Sequence, residues 1–391
     1  MLHELMGWDW LFVSMPYGEP WRDRRRLFLQ HFRNVALYRP PQVKFVGRAL
    51  VQLLDNPENF FKIIEDMAGG MSISLAYGLN VKDNNDPFVD LALRAFQTGL
   101  DSSFPGAFLV DVIPWLKYVP EWVPGARFKK TAKGWRKLQN DFHELPLLRT
   151  AYPSLTSLSM AQLGDSVDNE QLSVIKDSAG MLYGGATDTT VSSMTMFIVA
   201  MLSYPEVQKR AHDELDRVLE GRMPDFGDEQ NLPYISAVHK EVLSGFPHQL
   251  TEDDVYEGYH IPKGSVVMAN SWAMLHNEDD YPDPSSFKPE RFLTKDGKLN
   301  PTVRDPGLMA FGFGRRICPG AQLARSILWL WIVSFLTNFE VSSPLDENGE
   351  PFEPSIEYQA NSVTFHPHPF KCTIKPRSKA SEEMVRGFTD V

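Results

Sequence analysis

Residues 169–203 carry one unbroken helical pattern, and no other feature of the chain limits its fold as strongly. Asp165 and Asp168 stand just before it as possible caps. It stops before Pro205, which suits the first position of a following helix. A mean globular helix has roughly 11–12 residues, so 35 residues cross the middle of something large. The stretch is apolar on most faces, so other elements must cover it nearly all round. Within it lies Gly184-Gly185-Ala186-Thr187-Asp188-Thr189-Thr190, a poor helix former. That run predicts a local distortion with a use.

The rest of the chain supplies the cover. Helices are predicted over residues 21–32, 42–54, 56–75, 129–142, 205–219, 232–244 and 320–338. Short strands are predicted at Val255-Tyr256 and residues 259–261 around a Glu257-Gly258 turn, then at residues 265–270 and 370–374. Residues 104–124 are rich in Pro, Phe and Trp with little charge, which fits a loop over an apolar cavity or a surface patch. The run Arg22-Asp23-Arg24-Arg25-Arg26 fits a solvated face. A single core usually stops growing near roughly 250–300 residues, yet no linker, repeat or low-complexity tract divides these 391. The expectation is one large, mainly α domain with small β-sheets.

Charge and cysteine usage narrow the function. The net charge is −11, with a pI near 5.4, which argues against binding built on nucleic-acid phosphates. Two cysteines, Cys318 and Cys372, make neither a disulfide framework nor a Cys-rich zinc site. A cysteine that matters here acts alone, as nucleophile or metal ligand. The first residues lack the basic start of a secretory signal. No window of about 20 uncharged apolar residues exists to span a bilayer, and the apolar run at residues 326–336 fits a buried helix.

Cys318 sits in Phe311-Gly312-Phe313-Gly314-Arg315-Arg316-Ile317-Cys318-Pro319-Gly320, directly before a helix. The helix dipole and two arginines favour a thiolate. Glycines let the backbone approach something flat. The plainer reading is a small buried cysteine in a tight turn. Phe311, Gly314, Arg316, Cys318 and Gly320 fall at the spacing of the haem-binding signature of the cytochromes P-450, and the chain resembles that family. Pro289-Glu290-Arg291-Phe292 resembles the loop motif that precedes the haem loop. Trp21 and Arg25 resemble the Trp-x-x-x-Arg of the helix beside the haem. Residues 185–190 resemble the oxygen-groove motif of the central helix. The texture around residues 251–284 is similar to the fungal microsomal branch.

The resemblance implies a cytochrome P-450 fold spanning residues 1–391 as a single domain, and a haem-thiolate monooxygenase. Cys318 would be the axial ligand of haem (iron protoporphyrin IX), since a thiolate pushes electron density toward O–O cleavage. Asp188 and Thr189 would deliver protons as an acid–alcohol pair. Arg316, Trp21, Arg25 and His248 would meet the propionates, and Cys372 would be structural. The partners implied are an NADPH-dependent reductase, O2 and an apolar small molecule of fungal secondary metabolism, with no nucleic acid. The chain would be monomeric and associated with the endoplasmic reticulum membrane.

Departures from the family carry a second reading. The Glu-x-x-Arg signature should fall at Glu241, but its fourth position is Ser244. Ser244 cannot replace a guanidinium, which leaves Glu241 to pair with Arg291 alone. Gly where Ala186 stands is usual in the family. The text after Ser244 is shortened, residues 141–153 look abridged, and the anchor and first helices and strands that normally precede Met1 are absent. These gaps point to a degenerate or misspliced relative that binds no haem and is inactive. A third reading is an unrelated helical protein with a chance Gly-rich loop.

Overall fold

The structure is a computed structural model that describes residues 1–82, 86–103, 106–146, 153–164, 168–242, 248–249, 254–261, 266–267, 269–352, 354–358 and 366–390. In chain order the α-helices are α1 (Glu19–Phe32), α2 (Arg39–Asp55), α3 (Phe60–Tyr77), α4 (Pro87–Ser103), α5 (Leu109–Val112), α6 (Arg127–Glu144) and α7 (Leu155–Leu163). They continue as α8 (Asn169–Ser203), α9 (Pro205–Leu219), α10 (Pro233–Glu241), α11 (Ser271–Leu275), α12 (Gly307–Ala310), α13 (Ala321–Asn338) and α14 (Lys379–Arg386). Three two-stranded antiparallel sheets pair β1 (His248–Gln249) with β4 (Val266–Val267), β2 (Asp254–Tyr256) with β3 (Tyr259–Ile261), and β5 (Phe339–Ser342) with β6 (Thr373–Pro376). The architecture is the mainly helical one expected. It divides into two compact units.

The first unit holds Met1–Pro41, Ile64–Val191 and Tyr358–His366. α8 has the bounds its sequence predicts. Its start is fixed reciprocally: Gln171 N–H donates to Asp168 Oδ1 at 2.7 Å, and Asp168 N–H donates to Gln171 Oε1 at 3.1 Å. At Gly184-Gly185, where a distortion is expected, α8 continues as α-helix with no break or π turn. The glycines there serve packing. A Cβ at Gly184 would lie 1.9 Å from the Phe96 ring, and one at Gly180 would lie 2.7 Å from the Trp10 ring. Trp8, Trp10, Phe96 and Phe142 thus press an aromatic cluster, which Tyr183 of α8 joins, onto the small residues of that helix.

The basic run on α1 is not wholly solvated. Arg24 is buried and grips Asp177 of α8 through Nε at 2.8 Å and Nη2 at 2.5 Å. Asp177 also meets His143 Nε2 at 2.9 Å, which ties α6 to the same carboxylate. Burial of a charge requires such pairing, and here it locks α1, α6 and α8 together. Within residues 109–122, Trp115 is 78% and Trp122 84% exposed, with Leu109, Val112 and Tyr118 beside them in sequence and also exposed. This is the surface-patch alternative, although Phe104 and Pro105 lie outside the described residues.

The second unit holds Gln42–Ile63, Ser192–Glu357 and Pro367–Val391. Its centre is α13, whose Trp329, Trp331 and Phe335 are fully buried, with α9, α10 and α14 packed around it. α9 and α10 each carry proline in the first turn. Glu214 of α9 accepts the N–H groups of Tyr234 and Ile235 at 3.1 and 3.0 Å, which caps α10 from outside. The β2–β3 turn takes positive φ at Glu257 and Gly258, the geometry of a tight hairpin. β6 begins three residues later than predicted. Phe370 instead packs its ring against Phe60 and Phe61.

Candidate active site

The cysteine loop lies in the second unit, between α12 and α13. Gly312 and Gly314 hold φ of 77° and 56°, the left-handed region that glycine enters without strain. The loop closes when Cys318 N–H donates to the Phe311 carbonyl at 2.7 Å. A Cβ on Gly314 would meet nothing within 4 Å, so the loop fronts open space. Cys318 is exposed and outside any disulfide. Ala321 opens α13 three residues later, so the sulfur stands near the positive end of an 18-residue helix.

This donor set fits haem. Among the described residues no group of three or more His, Cys, Asp or Glu could hold a bare ion. One accessible sulfur suits a metal that brings its other donors in a macrocycle, as haem iron does. Exposed Arg315 and half-buried Arg316 are the cations of the same loop. Cys372 has the opposite character: burial pushes its thiol up to about 12, so it stays protonated at neutral pH.

Glu241 ends α10 and pairs with Arg291, whose Nε donates to Glu241 Oε1 at 2.6 Å. Arg291 is otherwise occupied by its own loop. It donates to the carbonyls of Pro282, Asp283, Ser286 and Lys288 at 2.5, 2.9, 2.7 and 3.2 Å. Lys288 N–H adds a 3.3 Å bond to Glu241. Burial nevertheless pushes the Glu241 carboxyl up, and the Arg291 charge only partly offsets it. The pairing expected from sequence therefore forms, and one guanidinium undercompensates the buried carboxylate. Ser244 lies outside the described residues. So does the His248 side chain, whose backbone pairs with Val267.

The acid–alcohol pair lies in the first unit. Thr189 Oγ1 donates to the Gly185 carbonyl one turn earlier at 2.7 Å. Asp188 Oδ1 lies 3.0 Å from His366 Nε2, a partner that no sequence pattern signals. The two are 178 positions apart, and no short motif links them. Trp21 is buried against Tyr17, with the Arg25 guanidinium 5.5 Å from its ring centroid. The Trp-x-x-x-Arg spacing thus brings those two side chains together on one face of α1.

The cytochrome P-450 family profile matches residues 3–374. Three fungal proteins illustrate the similarity. Cytochrome P-450 monooxygenase ple1 of Rhodocybe pseudopiperita is 43% identical over 99% of this chain and 77% of its own. Cytochrome P-450 monooxygenase 98 of Postia placenta is 40% identical over 98% and 78%. Tryptamine 4-monooxygenase of Psilocybe cyanescens is 38% identical over 99% and 80%. With a cysteine loop that fits haem and a family match along nearly its whole length, the chain belongs to the cytochrome P-450 monooxygenases, oxidoreductases whose cofactor is haem.

Proposed function

We propose that this chain inserts one oxygen atom from O2 into an apolar small molecule, with electrons from an NADPH-dependent reductase. The carrying observation is the exposed Cys318 on its glycine-shaped loop. Cys318 is the thiolate ligand in this reading. Haem held there supplies O–O bond cleavage, which a thiolate donor favours. Arg316, Trp21 and Arg25 are the donors proposed for the propionates, with His248 a further one from sequence.

Asp188 and Thr189 handle protons. The Thr189 hydroxyl donates to the Gly185 carbonyl, and a hydroxyl oxygen is also an acceptor. The Asp188 carboxylate is held by the His366 imidazole and is the acid of the pair in this reading. Ala186 adds one methyl where the family usually has none.

We also propose membrane association through the exposed Trp115, Tyr118 and Trp122. Aromatic rings favour the bilayer interface, and the following α6 is rich in Lys and Arg. Among the described residues no helix is long and apolar enough to cross a membrane.

The test is to express the full chain with a haem precursor, reduce it and add carbon monoxide. A thiolate-type Soret band, lost in Cys318→Ser, supports the reading. Failure to retain haem would sink it for this chain and favour the degenerate-relative reading.

A further inference from the structure

A second cluster of charge lies beside the cysteine loop, and the activity above does not use it. All its members belong to the second unit. Asp305 Oδ2 accepts from Lys240 Nζ at 2.9 Å and from Arg325 Nη1 at 3.3 Å. Its other oxygen accepts the Gly307 N–H at 2.8 Å, which sets the first turn of α12. Lys240 comes from α10, Arg325 from α13, and Asp305 from the chain that leads into the cysteine loop. The carboxylate therefore joins three segments.

The cluster reaches the loop through Arg325. Its guanidinium carbon lies 5.2 Å from the Phe311 ring centroid, a cation–π distance. Phe311 supplies the carbonyl that accepts the Cys318 N–H. Gly307 makes this approach possible, since a Cβ there would lie 2.0 Å from Arg325 Nη2. The neighbouring His239 is buried, and burial with the Arg325 and Lys240 charges pushes it down to about 3, so it stays neutral. The permanent charges here are the two cations and Asp305.

We propose that Asp305 and Arg325 are positioning residues for the Cys318 ligand. Asp305 fixes the Arg325 plane over Phe311, and Phe311 fixes the Cys318 backbone. This rests on reading Cys318 as the haem ligand. The Phe311 ring gives the device its specificity. Lysine at 325 would keep the charge but present no plane to stack.

The test compares Asp305→Asn, Arg325→Lys and Lys240→Met in the full chain by amide hydrogen exchange. It also reads the Soret band of each reduced, CO-treated, haem-loaded form. In Asp305→Asn and Arg325→Lys the Cys318 amide should exchange roughly tenfold faster while α13 amides keep their protection, a local opening rather than a global one. The thiolate-type band should fall in the same two variants. Lys240→Met, which leaves Arg325 in place, should move the Cys318 amide least. Unchanged Cys318 exchange in both Asp305→Asn and Arg325→Lys overturns the proposal. So does equal acceleration of all amides, which would reduce Asp305 to a general structural role. Exchange in the haem-free chain does not depend on haem ligation, whereas Cys318→Ser tests ligation without touching Asp305, so the two ideas fail separately.

Discussion

Adjacent residues at the end of α10, Lys240 and Glu241, engage two ion clusters of opposite character. Glu241 carries its own carboxylate into a buried place and meets one guanidinium. Lys240 carries a cation out to Asp305, which also has Arg325 and a backbone N–H. Burial pushes Glu241 up. For Asp305 burial pulls the same way, but the Lys240 and Gly307 hydrogen bonds and the Arg325 charge outweigh it and hold the carboxyl at about 2. The difference teaches that donor count against desolvation decides the sign. Asp305 has more donors than its burial demands, and Glu241 has fewer.

The contrast breaks most violently at Arg291. Its side chain is 4% exposed and serves both Glu241 and four loop carbonyls. Arg291→Met strips the carboxylate of its cation and should lower stability by about 3–5 kcal/mol, the usual cost of leaving one buried partner alone. Denaturant unfolding measures it. Equal losses in Arg291→Met and in Glu241→Met/Arg291→Met would mean that the stranded charge is not the cause.

The weaker side of the comparison comes next. Lys240→Met leaves Asp305 with Arg325 and the Gly307 N–H, so the loss should be about 1.5–3 kcal/mol, the scale of one charge-assisted hydrogen bond. A loss matching that of Arg291→Met would erase the distinction drawn between the clusters.

The two clusters also show what a sequence yields and what it withholds. Glu241 with Arg291, the cysteine loop and the bounds of α8 and α9 were legible, because fixed spacing or periodicity encodes each. The glycines of α8 are not legible in this way. Propensity marks Gly184 as weak helix, and only the Phe96 ring seated against it explains the residue. Arg24 fits a solvated face by sequence alone, because its partner, Asp177, is 153 positions away. Asp305, Arg325 and His366 escaped for the same reason: their chemistry depends on contacts that no local pattern carries.

A smaller effect follows from supplying Glu241 with the missing cation. Ser244→Arg supplies a second guanidinium three positions after Glu241 in sequence, and a pairing between the two should add about 0.5 kcal/mol. The Glu241 carboxyl should titrate lower as well. No change in either would show that residue 244 does not return to Glu241, and that the undercompensation has to be relieved from Arg291's side.

The smallest effects are opposite slopes with pH. Glu241 has a folded value above its unfolded one of about 4.3, so the folded state holds the proton longer. Its contribution to stability then falls as pH rises through that window and stays unfavourable at neutral pH. Asp305 has a folded value of about 2, below its unfolded value. Its contribution is complete above about 4 and is lost as pH falls toward 2. Unfolding measured across acid pH should therefore lose its downward slope above about pH 4 in Glu241→Gln. In Asp305→Asn it should lose part of the acid-side drop instead. If the two variants flatten the same limb, the carboxylates share one environment and the contrast between them collapses.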